Sequence, residues 1–324
     1  ASRGLGDVYK RQEGISKQVS ALFDGKAELV NNYDWFKGYE FLDFLRDVGK
    51  YINVNYMLDK DIIRRRLETG ITYAEFSYTL IQGYDFLRLF EDKNCVLQAE
   101  GSDQWGNITT GIDLIRKKTG KEAYGFTMPL VLDKTGKKFG KSEGNALWLD
   151  KNKTSSYELY QYLVNVDDSL VIDYLKIFTF LSREEIEEYE RKNNEHPEAR
   201  EAHIALAREI ITDIRGEEEY LKAKKISDCL FKGDITLLDE DELEDAFKGA
   251  PSFDINVGDK VIDMLINAKI CSSKREAREF ISAGSISING EKVSDEGDVI
   301  TSDKLLYNKY LIVRKGKKKY YIGK

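Results

Sequence analysis

Residues 95–119, "CVLQAEGSDQWGNITTGIDLIRKKT", contain a short apolar run, a glycine-containing turn and an amphipathic stretch. The run at 95–99 has the length of a buried strand, 101–107 is rich in turn residues, and helical spacing begins at 108. A second apolar run, "MPLVL" at 128–132, follows the predicted helix and ends in turn residues. A strand, a helix and another strand in this order are typical of an α/β layer with a parallel sheet.

Upstream of this layer the pattern is mostly helical. Apolar residues recur at helical spacing at 16–23 and 39–48, whereas "YINVNYML" at 51–58 alternates loosely and predicts a strand or an extended segment. Residues 1–12, "ASRGLGDVYKRQ", fit no periodic element. We therefore expect these twelve residues to lie outside the native fold.

Downstream, the chain changes character twice. Between 155 and 247 helical patterns follow one another without a strand candidate, and Ser182 with Glu185 forms a capping box. Gly, Pro and polar residues near 249–258 predict a linker, after which two helices (259–268 and 272–283) precede short strands near 285–288, 310–314 and 319–322. The predicted parts are 1–12 (unassigned), 13–153 (part of a Rossmann-like nucleotide-binding domain, α/β with a parallel sheet), 154–248 (helical domain), 249–257 (linker) and 258–324 (small α+β domain).

Composition excludes several classes of protein. The 324 residues are 41% hydrophobic, which is enough for two or three cores, yet no stretch approaches the ~20 uninterrupted apolar residues of a membrane span. The start of the chain lacks the order of a signal peptide. Its three cysteines are far apart and form no CxxC pair, so neither a zinc site nor a disulfide framework is predicted. We expect a soluble protein of the cytoplasm without a membrane partner.

Charge is distributed unevenly along the chain. The whole sequence carries −7, but residues 258–324 contain 14 Lys and Arg against 9 Asp and Glu, a net +5, which leaves −12 for residues 1–257. A basic tail behind an acidic body predicts a polyanionic partner for the tail. On charge alone, a solvated basic surface explains the tail equally well.

One predicted helix carries a stripe of hydrogen-bonding groups. Thr72 and Glu75 form a capping box at its start, and Tyr78, Gln82 and Asp85 follow at i, i+4 and i+7 on one face. The remaining faces are largely apolar, which is typical of a buried helix. Either neighbouring protein groups satisfy the stripe, or it lines a pocket for a small polar molecule.

Two loops suggest a ligand with phosphate groups. In "GSDQWGN" at 101–107, a glycine allows close approach of a ligand at the end of a predicted strand, where parallel sheets bind ligands. In "KKFGKSEGNALWLD" at 137–150, Lys138 and Lys141 lie among glycines and suit phosphate oxygens as point charges. A generic strand-to-helix turn and a charged surface loop are the alternatives.

The tail carries two basic clusters. Lys274, Arg275 and Arg278 lie in the first turns of a predicted helix, and Arg275 and Arg278 share a face. "RKGKKKYY" at 314–321 adds further lysines. Such clusters can follow a phosphate backbone, and the mixed helix and strand order favours RNA over an unspecific basic surface.

Together these motifs resemble the bacterial tyrosyl-tRNA synthetases of class I. The resemblance runs from about residue 14 to residue 324, through "NNYDW", "FLRDVGK", "VNYML", "TGITYAEFSYTLIQGYDFLRL", "GSDQWGNITTG", "KFGKS", "YELYQY" and "SKREAREFI". "KFGKS" resembles the family's form of the class I lysine motif, and the basic tail is similar to an RNA-binding module of a small-subunit ribosomal protein. The order and length of these motifs make the resemblance specific.

The resemblance implies a tyrosine-tRNA ligase that forms tyrosyl-adenylate from L-tyrosine and ATP with Mg²⁺, without a tightly bound cofactor or a resident metal. It also implies a homodimer and tRNA(Tyr) as partner. Tyr78 and Gln82 would hold the substrate ammonium, Asp85 its phenol and Gln104 its carboxylate. The other implied residues are Gly101, Asp103, Lys138, Lys141 and Ser142 for ATP and the adenylate, and Lys274, Arg275, Arg278, Lys317, Lys318 and Lys319 for tRNA.

The histidine motif of the family is the main departure. Class I synthetases carry His-x-Gly-His near the start of the nucleotide-binding fold, but the histidines of this sequence are His196 and His203, both in the predicted helical domain. We therefore expect a family member without its amino-terminal third or quarter, with 1–12 as unrelated sequence. As given, such a chain is not expected to activate tyrosine.

Two other interpretations remain open from the sequence. A tryptophan-specific relative is disfavoured by Asp85 and by the basic tail. A non-catalytic RNA-binding protein with a decayed synthetase body is disfavoured by the retained Lys138, Lys141, Asp103 and Gln104, although a truncated synthetase would retain them as well.

Overall fold

A computed structural model describes residues 5–132, 136, 147–316 and 319–324. The chain divides into two units, Ala1–Asn145 and Ala146–Lys324, so the division falls earlier than the predicted domain boundary at residue 153. Five of the predicted site residues lie outside the described residues: Lys138, Lys141, Ser142, Lys317 and Lys318. Within the described part of the chain, none of the helices has the length and apolar content needed to cross a bilayer.

The first unit combines helices with a short parallel sheet. Strands β1 and β2 pair in parallel from Leu97 opposite Tyr124 to Gly101 opposite Met128, which confirms the predicted parallel pairing. The elements are α1 (Leu5–Leu22), α2 (Tyr33–Phe36), α3 (Phe41–Asp47), α4 (Val54–Leu58), α5 (Asp61–Leu67), α6 (Tyr73–Lys93), β1 (Leu97–Gly101), α7 (Trp105–Thr119) and β2 (Tyr124–Met128).

The start of α6 follows the sequence prediction. The Thr72 hydroxyl accepts a hydrogen bond from the backbone N–H of Glu75, and the Glu75 carboxylate accepts one from the backbone N–H of Thr72. This reciprocal pair satisfies two N–H groups that a helix start otherwise leaves without partners. The predicted capping box is confirmed.

The position of the second strand was predicted wrongly. Strand β2 occupies 124–128 instead of 128–132, and β1 occupies 97–101 instead of 95–99. The reason is a close contact at Gly125, where a Cβ would lie 2.3 Å from Cγ2 of Ile108 on α7. Because glycine has no side chain, Gly125 adds nothing to the apolar pattern of the sequence. The strand was therefore predicted at the neighbouring apolar run.

An upstream prediction was also wrong. The segment 51–58 contains helix α4 instead of a strand, because the Asn53 side chain accepts hydrogen bonds from the backbone N–H groups of Asn55 and Tyr56 and caps the helix. Residues 5–12, which fit no periodic element in the sequence, form the first part of α1. Helix α7 likewise begins at Trp105, three residues before the predicted position.

Helices α6 and α7 approach each other closely at two glycines. A Cβ on Gly83 of α6 would lie 3.3 Å from the backbone nitrogen of Gly111, and a Cβ on Gly111 of α7 would lie 2.9 Å from Cδ1 of Phe86. Both contacts are tighter than ordinary van der Waals distances. The helices therefore pack with backbone against backbone, with the buried side chains of Phe86, Leu87 and Leu114 around the crossing.

The second unit joins a helical part to a small sheet. Its strands lie in the order β3-β7-β6-β4-β5, antiparallel except for the β3–β7 pair. Its elements are α8 (Ser156–Val164), α9 (Val171–Phe178), α10 (Arg183–Glu195), α11 (Glu201–Arg215), α12 (Glu217–Lys232), α13 (Glu240–Ala246), β3 (Ser252–Phe253), α14 (Val261–Asn267), α15 (Lys274–Ser282), β4 (Ile286–Ile288), β5 (Glu291–Lys292), β6 (Leu311–Lys315) and β7 (Lys319–Gly323).

The helical part and the sheet share one apolar core. Ile226 of α12 and Leu243 of α13 are fully buried in the same cluster as Ile312 of β6. The segment predicted as a linker, 249–257, supplies β3, which pairs with β7. The sheet is therefore bound to the helices by burial and not only by chain connectivity.

We expect Gly111→Ala to destabilise the first unit by about 1–3 kcal/mol, because the added methyl group would force α6 and α7 apart. The change is measurable as a shift of the urea unfolding midpoint. Gly14→Ala is the matched control, since Gly14 lies within α1 and a Cβ there meets nothing within 4 Å. Equal effects of the two substitutions would contradict the close packing of the helices.

Candidate functional site

The site lies at the carboxyl end of β1, where the chain turns into α7. Gly101 ends the strand, and a short 3₁₀ turn, Ser102–Gln104, leads into the helix. A Cβ on Gly101 would lie 3.0 Å from Oδ1 of Asp103 and 3.2 Å from Cδ2 of Leu130, so a larger residue would displace the Asp103 carboxylate. The end of a parallel strand is the usual place for a ligand in such a layer.

Asn107 connects two of the predicted site residues. Its side chain is 5% exposed, and its Nδ2 donates to Oε1 of Gln82 and to Oε1 of Gln104, both at 2.9 Å. The structure therefore brings Gln82 and Gln104 together through a shared partner. Because both carbonyl oxygens turn toward Asn107, the Nε2 group of Gln104 is left as the donor toward a ligand.

Glu100 extends this network on the strand. Nε2 of Gln82 donates to Oε1 of Glu100 at 2.9 Å, and Nε2 of Gln98 donates to the same oxygen. Sequence reasoning missed both Asn107 and Glu100. Asn107 stood inside the quoted turn motif, but nothing in the linear pattern indicated that it faces Gln82.

Asp85 lies at another part of the site. Its Oδ1 accepts from Nε1 of Trp35 at 2.8 Å and its Oδ2 from Nδ2 of Asn32 at 3.2 Å. Burial raises the pKa of the Asp85 carboxyl above its usual value, and the hydrogen bonds from Trp35 and Asn32 oppose that rise. A cavity of about 660 Å³ is lined by Asp85, Trp35 and Leu89.

Tyr78 opens onto a separate cavity. It is 58% exposed and lines a space of about 380 Å³ with Thr79 and Asn107. The stripe of Tyr78, Gln82 and Asp85 thus has mixed partners: protein groups bind Gln82 and Asp85, whereas Tyr78 faces open space. On this one helix, neighbouring protein groups satisfy part of the stripe, and another part of it lines a cavity.

A basic cleft adjoins Asp103. Its volume is about 640 Å³ and its lining includes Lys60, Arg65, Asp103 and Trp105. Nζ of Lys60 donates to the backbone carbonyl of Gly106 and to Oγ1 of Thr109. Burial lowers the pKa of Lys60 to about 8, against the opposing charge of Asp113.

Three of the predicted RNA-binding residues of the tail, all on α15, are each paired with an acidic side chain. Lys274 lies 2.6 Å from Asp263, Arg275 lies 3.1 Å from Glu279, and Arg278 pairs with Glu296. These pairs are exposed, so each contributes little to stability. Lys319 lies exposed at the start of β7, opposite Lys315.

Known proteins match the chain along nearly its whole length. The family model for class I tRNA synthetases (W and Y) matches residues 5–232, and that for the C-terminal domain of SYY-like tyrosine-tRNA ligases matches 242–322. The first of these matches begins within the segment 1–12. The second model is a tyrosine-specific one, which argues against the tryptophan alternative.

Individual relatives agree with these families. A tyrosine-tRNA ligase of Streptococcus pyogenes is 48% identical over 97% of this chain and 77% of its own length, and that of Geobacillus kaustophilus is 50% identical over 95% and 75%. Among solved structures, C-terminally truncated mitochondrial tyrosyl-tRNA synthetases are similar. That of Aspergillus nidulans has a TM-score of 0.53 and 33% identity over 69% of this chain and 66% of its own; that of Coccidioides posadasii has 0.51 and 36% over 60% and 56%.

The raised pKa of Asp85 predicts a pH dependence of stability. An acid with a higher pKa in the folded state holds more protons there than in the unfolded chain, so stability falls as pH rises from about 3.8 through the folded-state pKa. Asp85→Asn lacks this titration. Urea unfolding of both proteins between pH 4 and 7 should show wild type losing stability relative to the variant. A difference that is constant across this range would contradict the assignment.

Proposed function

This chain belongs to the class I tRNA synthetases as a tyrosine-tRNA ligase, and we propose that the site at the end of β1 joins L-tyrosine to ATP and then to tRNA(Tyr). The observation that carries the proposal is the hydrogen bonding of Gln82 and Gln104 to the buried Asn107. It supports the proposal because the Gln82 amide oxygen can accept from an ammonium and the neighbouring Gln104 amide N–H can donate to a carboxylate, the two charged groups of an α-amino acid.

The tyrosine subsite extends along α6. The Tyr78 hydroxyl and Oε1 of Gln82 accept from the substrate ammonium, and Nε2 of Gln104 donates to its carboxylate. Gln82 retains this capacity because its Oε1 has a second lone pair beside the hydrogen bond from Asn107. These roles follow from the family resemblance and are supported by the orientation of the two amides.

Asp85 accepts the hydrogen bond of the tyrosine phenol. Trp35 and Asn32 hold one carboxylate oxygen each, which fixes the side chain and leaves lone pairs free for the phenol. Phenylalanine would leave this half-buried acceptor without its donor. A site built to hydrogen-bond a substrate hydroxyl rejects the analogue without it by a factor of about 10⁴–10⁵.

The nucleotide binds beside the strand end. Gly101 allows its close approach, Asp103 contacts the ribose of the adenylate, and Lys138, Lys141 and Ser142 hold the phosphates with Mg²⁺. The lysines and the serine lie outside the described residues, so their part rests on the "KFGKS" resemblance. Two lysines that meet charge developing on pyrophosphate stabilise the transition state more than the ground state.

The reaction needs no protein nucleophile. A tyrosine carboxylate oxygen attacks the α-phosphorus of ATP, the new P–O bond forms as the bond to pyrophosphate breaks, and tyrosyl-adenylate results. A hydroxyl at the 3′ end of tRNA then attacks the tyrosyl carbonyl, and AMP leaves. The protein contributes positioning and charge stabilisation.

The basic cleft with Lys60, Arg65 and Trp105 adjoins Asp103 and receives the acceptor end of the tRNA.

We further propose that the chain acts as a homodimer in the cytoplasm. Several apolar side chains of the first unit are exposed, among them Phe41, Leu42 (73% exposed), Val54 and Tyr73. Exposed apolar surface is a common feature of protein–protein contact sites. The exposed side chains support a face for a second copy within this unit.

Pyrophosphate exchange tests the catalytic proposal. We expect tyrosine-dependent ATP–pyrophosphate exchange from the chain preceded by the amino-terminal segment of the Geobacillus kaustophilus ligase, and none from the chain as given, whose sequence has no His-x-Gly-His. In the extended form, Lys141→Ala should lower exchange by about 10²–10³-fold, as loss of a transition-state charge partner does. Exchange by the chain alone would contradict the expected inactivity. Without exchange in the extended form, the RNA-binding alternative is favoured.

The tail pairs predict opposite effects of two substitutions on tRNA binding. Arg278→Ala should weaken binding of tRNA(Tyr) and lower the slope of log K against log salt by about 1. Glu296→Gln should strengthen binding a few-fold, because it releases Arg278 from its ion pair. Filter binding between 50 and 200 mM salt measures both. Affinity unchanged in both variants would exclude Arg278 from the RNA contact.

A further inference from the structure

His203 is a fully buried imidazole in the helical part of the second unit. It lies on α11 with 0% of its surface exposed, whereas the other histidine of the sequence, His196, is exposed. Burial favours the neutral form of an imidazole, because the charged form loses its hydration. The packing around His203 is therefore sensitive to the charge on this side chain.

The two ring nitrogens of His203 have different surroundings. Nε2 lies 3.0 Å from the carbonyl oxygen of Val166 and 3.1 Å from Oδ1 of Asp168. Because both neighbours are acceptors, we assign the proton of the neutral imidazole to Nε2. Nδ1 is buried and has no hydrogen-bond partner. Protonation would therefore create a charged donor at Nδ1 with nothing to accept from it, which is costly in a buried position.

A second side chain holds the same part of the backbone. Arg200, the residue before α11, donates through Nε to the carbonyl oxygen of Val164 at 2.9 Å and through Nη2 to that of Val166 at 3.4 Å. Val164 ends α8, and Val166 lies in the connection that leads to α9. Arg200 and His203 thus fasten this connection, residues 165–170, to the start of α11.

The backbone at Arg200 opposes this fastening. Its φ of 52° lies in the left-handed region, which is unfavourable for a residue with a Cβ. The hydrogen bonds of Arg200 to the two carbonyl oxygens offset that strain. Opening of the connection would relieve it, so the closed arrangement depends on the bonds of Arg200 and His203 together.

The charged groups that face the imidazole act in opposite directions. Asp167 and Asp168 of the connection favour its protonation, whereas Arg200 opposes it. The side chain of Asp168 is 55% exposed, so water screens its attraction. Burial is the largest effect, and together with Arg200 it holds the pKa of His203 below its ordinary value.

We propose that His203 is a pH-sensitive switch whose protonation releases the connection at 165–170 from α11. In the open state water solvates both ring nitrogens, whereas in the closed state the charged imidazole lies buried beside Arg200. The closed arrangement is fully stable well above pH 6.5, the ordinary pKa of the group, and loses stability as pH falls through that value. This switch is independent of the proposed tyrosine site.

Hydrogen exchange of the full chain tests the switch. Backbone exchange read by mass spectrometry at pH 7.5 and 5.5, corrected for the intrinsic effect of pH on exchange, would compare wild type, His203→Gln and His196→Gln. Gln at position 203 keeps an N–H donor for the Val166 carbonyl and does not titrate. His196→Gln is the matched control, since it removes an exposed imidazole from the same unit.

Wild type and His196→Gln should lose up to about tenfold in protection at 165–175 between the two pH values, because pH 5.5 lies one unit below the ordinary pKa of the imidazole. His203→Gln should change by less than about twofold there. Protection of α12 should stay constant in all three proteins, because the release is local.

Two results of this comparison would overturn the inference. A loss of protection that persists in His203→Gln would assign the pH dependence to other groups. An equal loss in α12 would show that acid destabilises the whole unit instead of the connection.

The imidazole NMR signal of His203 gives a second readout that leaves position 203 unchanged. In His196→Gln it is the only histidine signal, since the sequence has two histidines. Its titration midpoint should lie below pH 6.5 and coincide with the loss of protection. A midpoint at or above pH 6.5 would likewise overturn the inference.

Discussion

The close approach of α6 and α7 at Gly83 and Gly111 is the constraint on which the site depends. With backbone packed against backbone, the side chains that flank the crossing reach each other, and Asn107 bonds Gln82 across the two helices. Gly125 plays the corresponding part between α7 and β2. Glycines at these three positions set the distances between α6, α7 and β2. These distances determine where the polar groups of the site lie.

The charges of the first unit are separated along the proposed substrate. Asp85 lies on the side proposed for the amino acid, whereas Lys60 and Arg65 line the cleft beside Asp103. In the proposed arrangement, an acid beside the phenol and bases beside the RNA disfavour a reversed orientation of either ligand. Because the polar groups are held by neighbours before a ligand arrives, little free energy is lost in arranging them.

The capping patterns were read correctly from the sequence, whereas the strand positions and the contacts between distant residues were not. The Thr72 and Glu75 cap involves residues three apart and was visible at once. The hydrogen bonds from Trp35 to Asp85 and from Gln82 to Glu100 join residues 50 and 18 apart, so no local pattern predicts them. Strand β2 was predicted at the wrong position because the close contact between position 125 and Ile108, which leaves room only for glycine, exists only in the folded chain.

In the tail, rigidity and charge pairing act together on RNA binding. The core shared by α12, α13, β6 and β7 holds the sheet against the helices, so the cations of α15 occupy defined positions within the second unit. Lys274, Arg275 and Arg278 are each neutralised by a nearby acid. In the proposed complex, RNA would replace these existing ion pairs, and each contact would gain only the difference between a phosphate and a carboxylate partner. Because each contact would contribute little binding free energy, we expect tight binding only of an RNA that meets several of these cations at once. The fixed spacing of the cations would then select for the shape of the RNA.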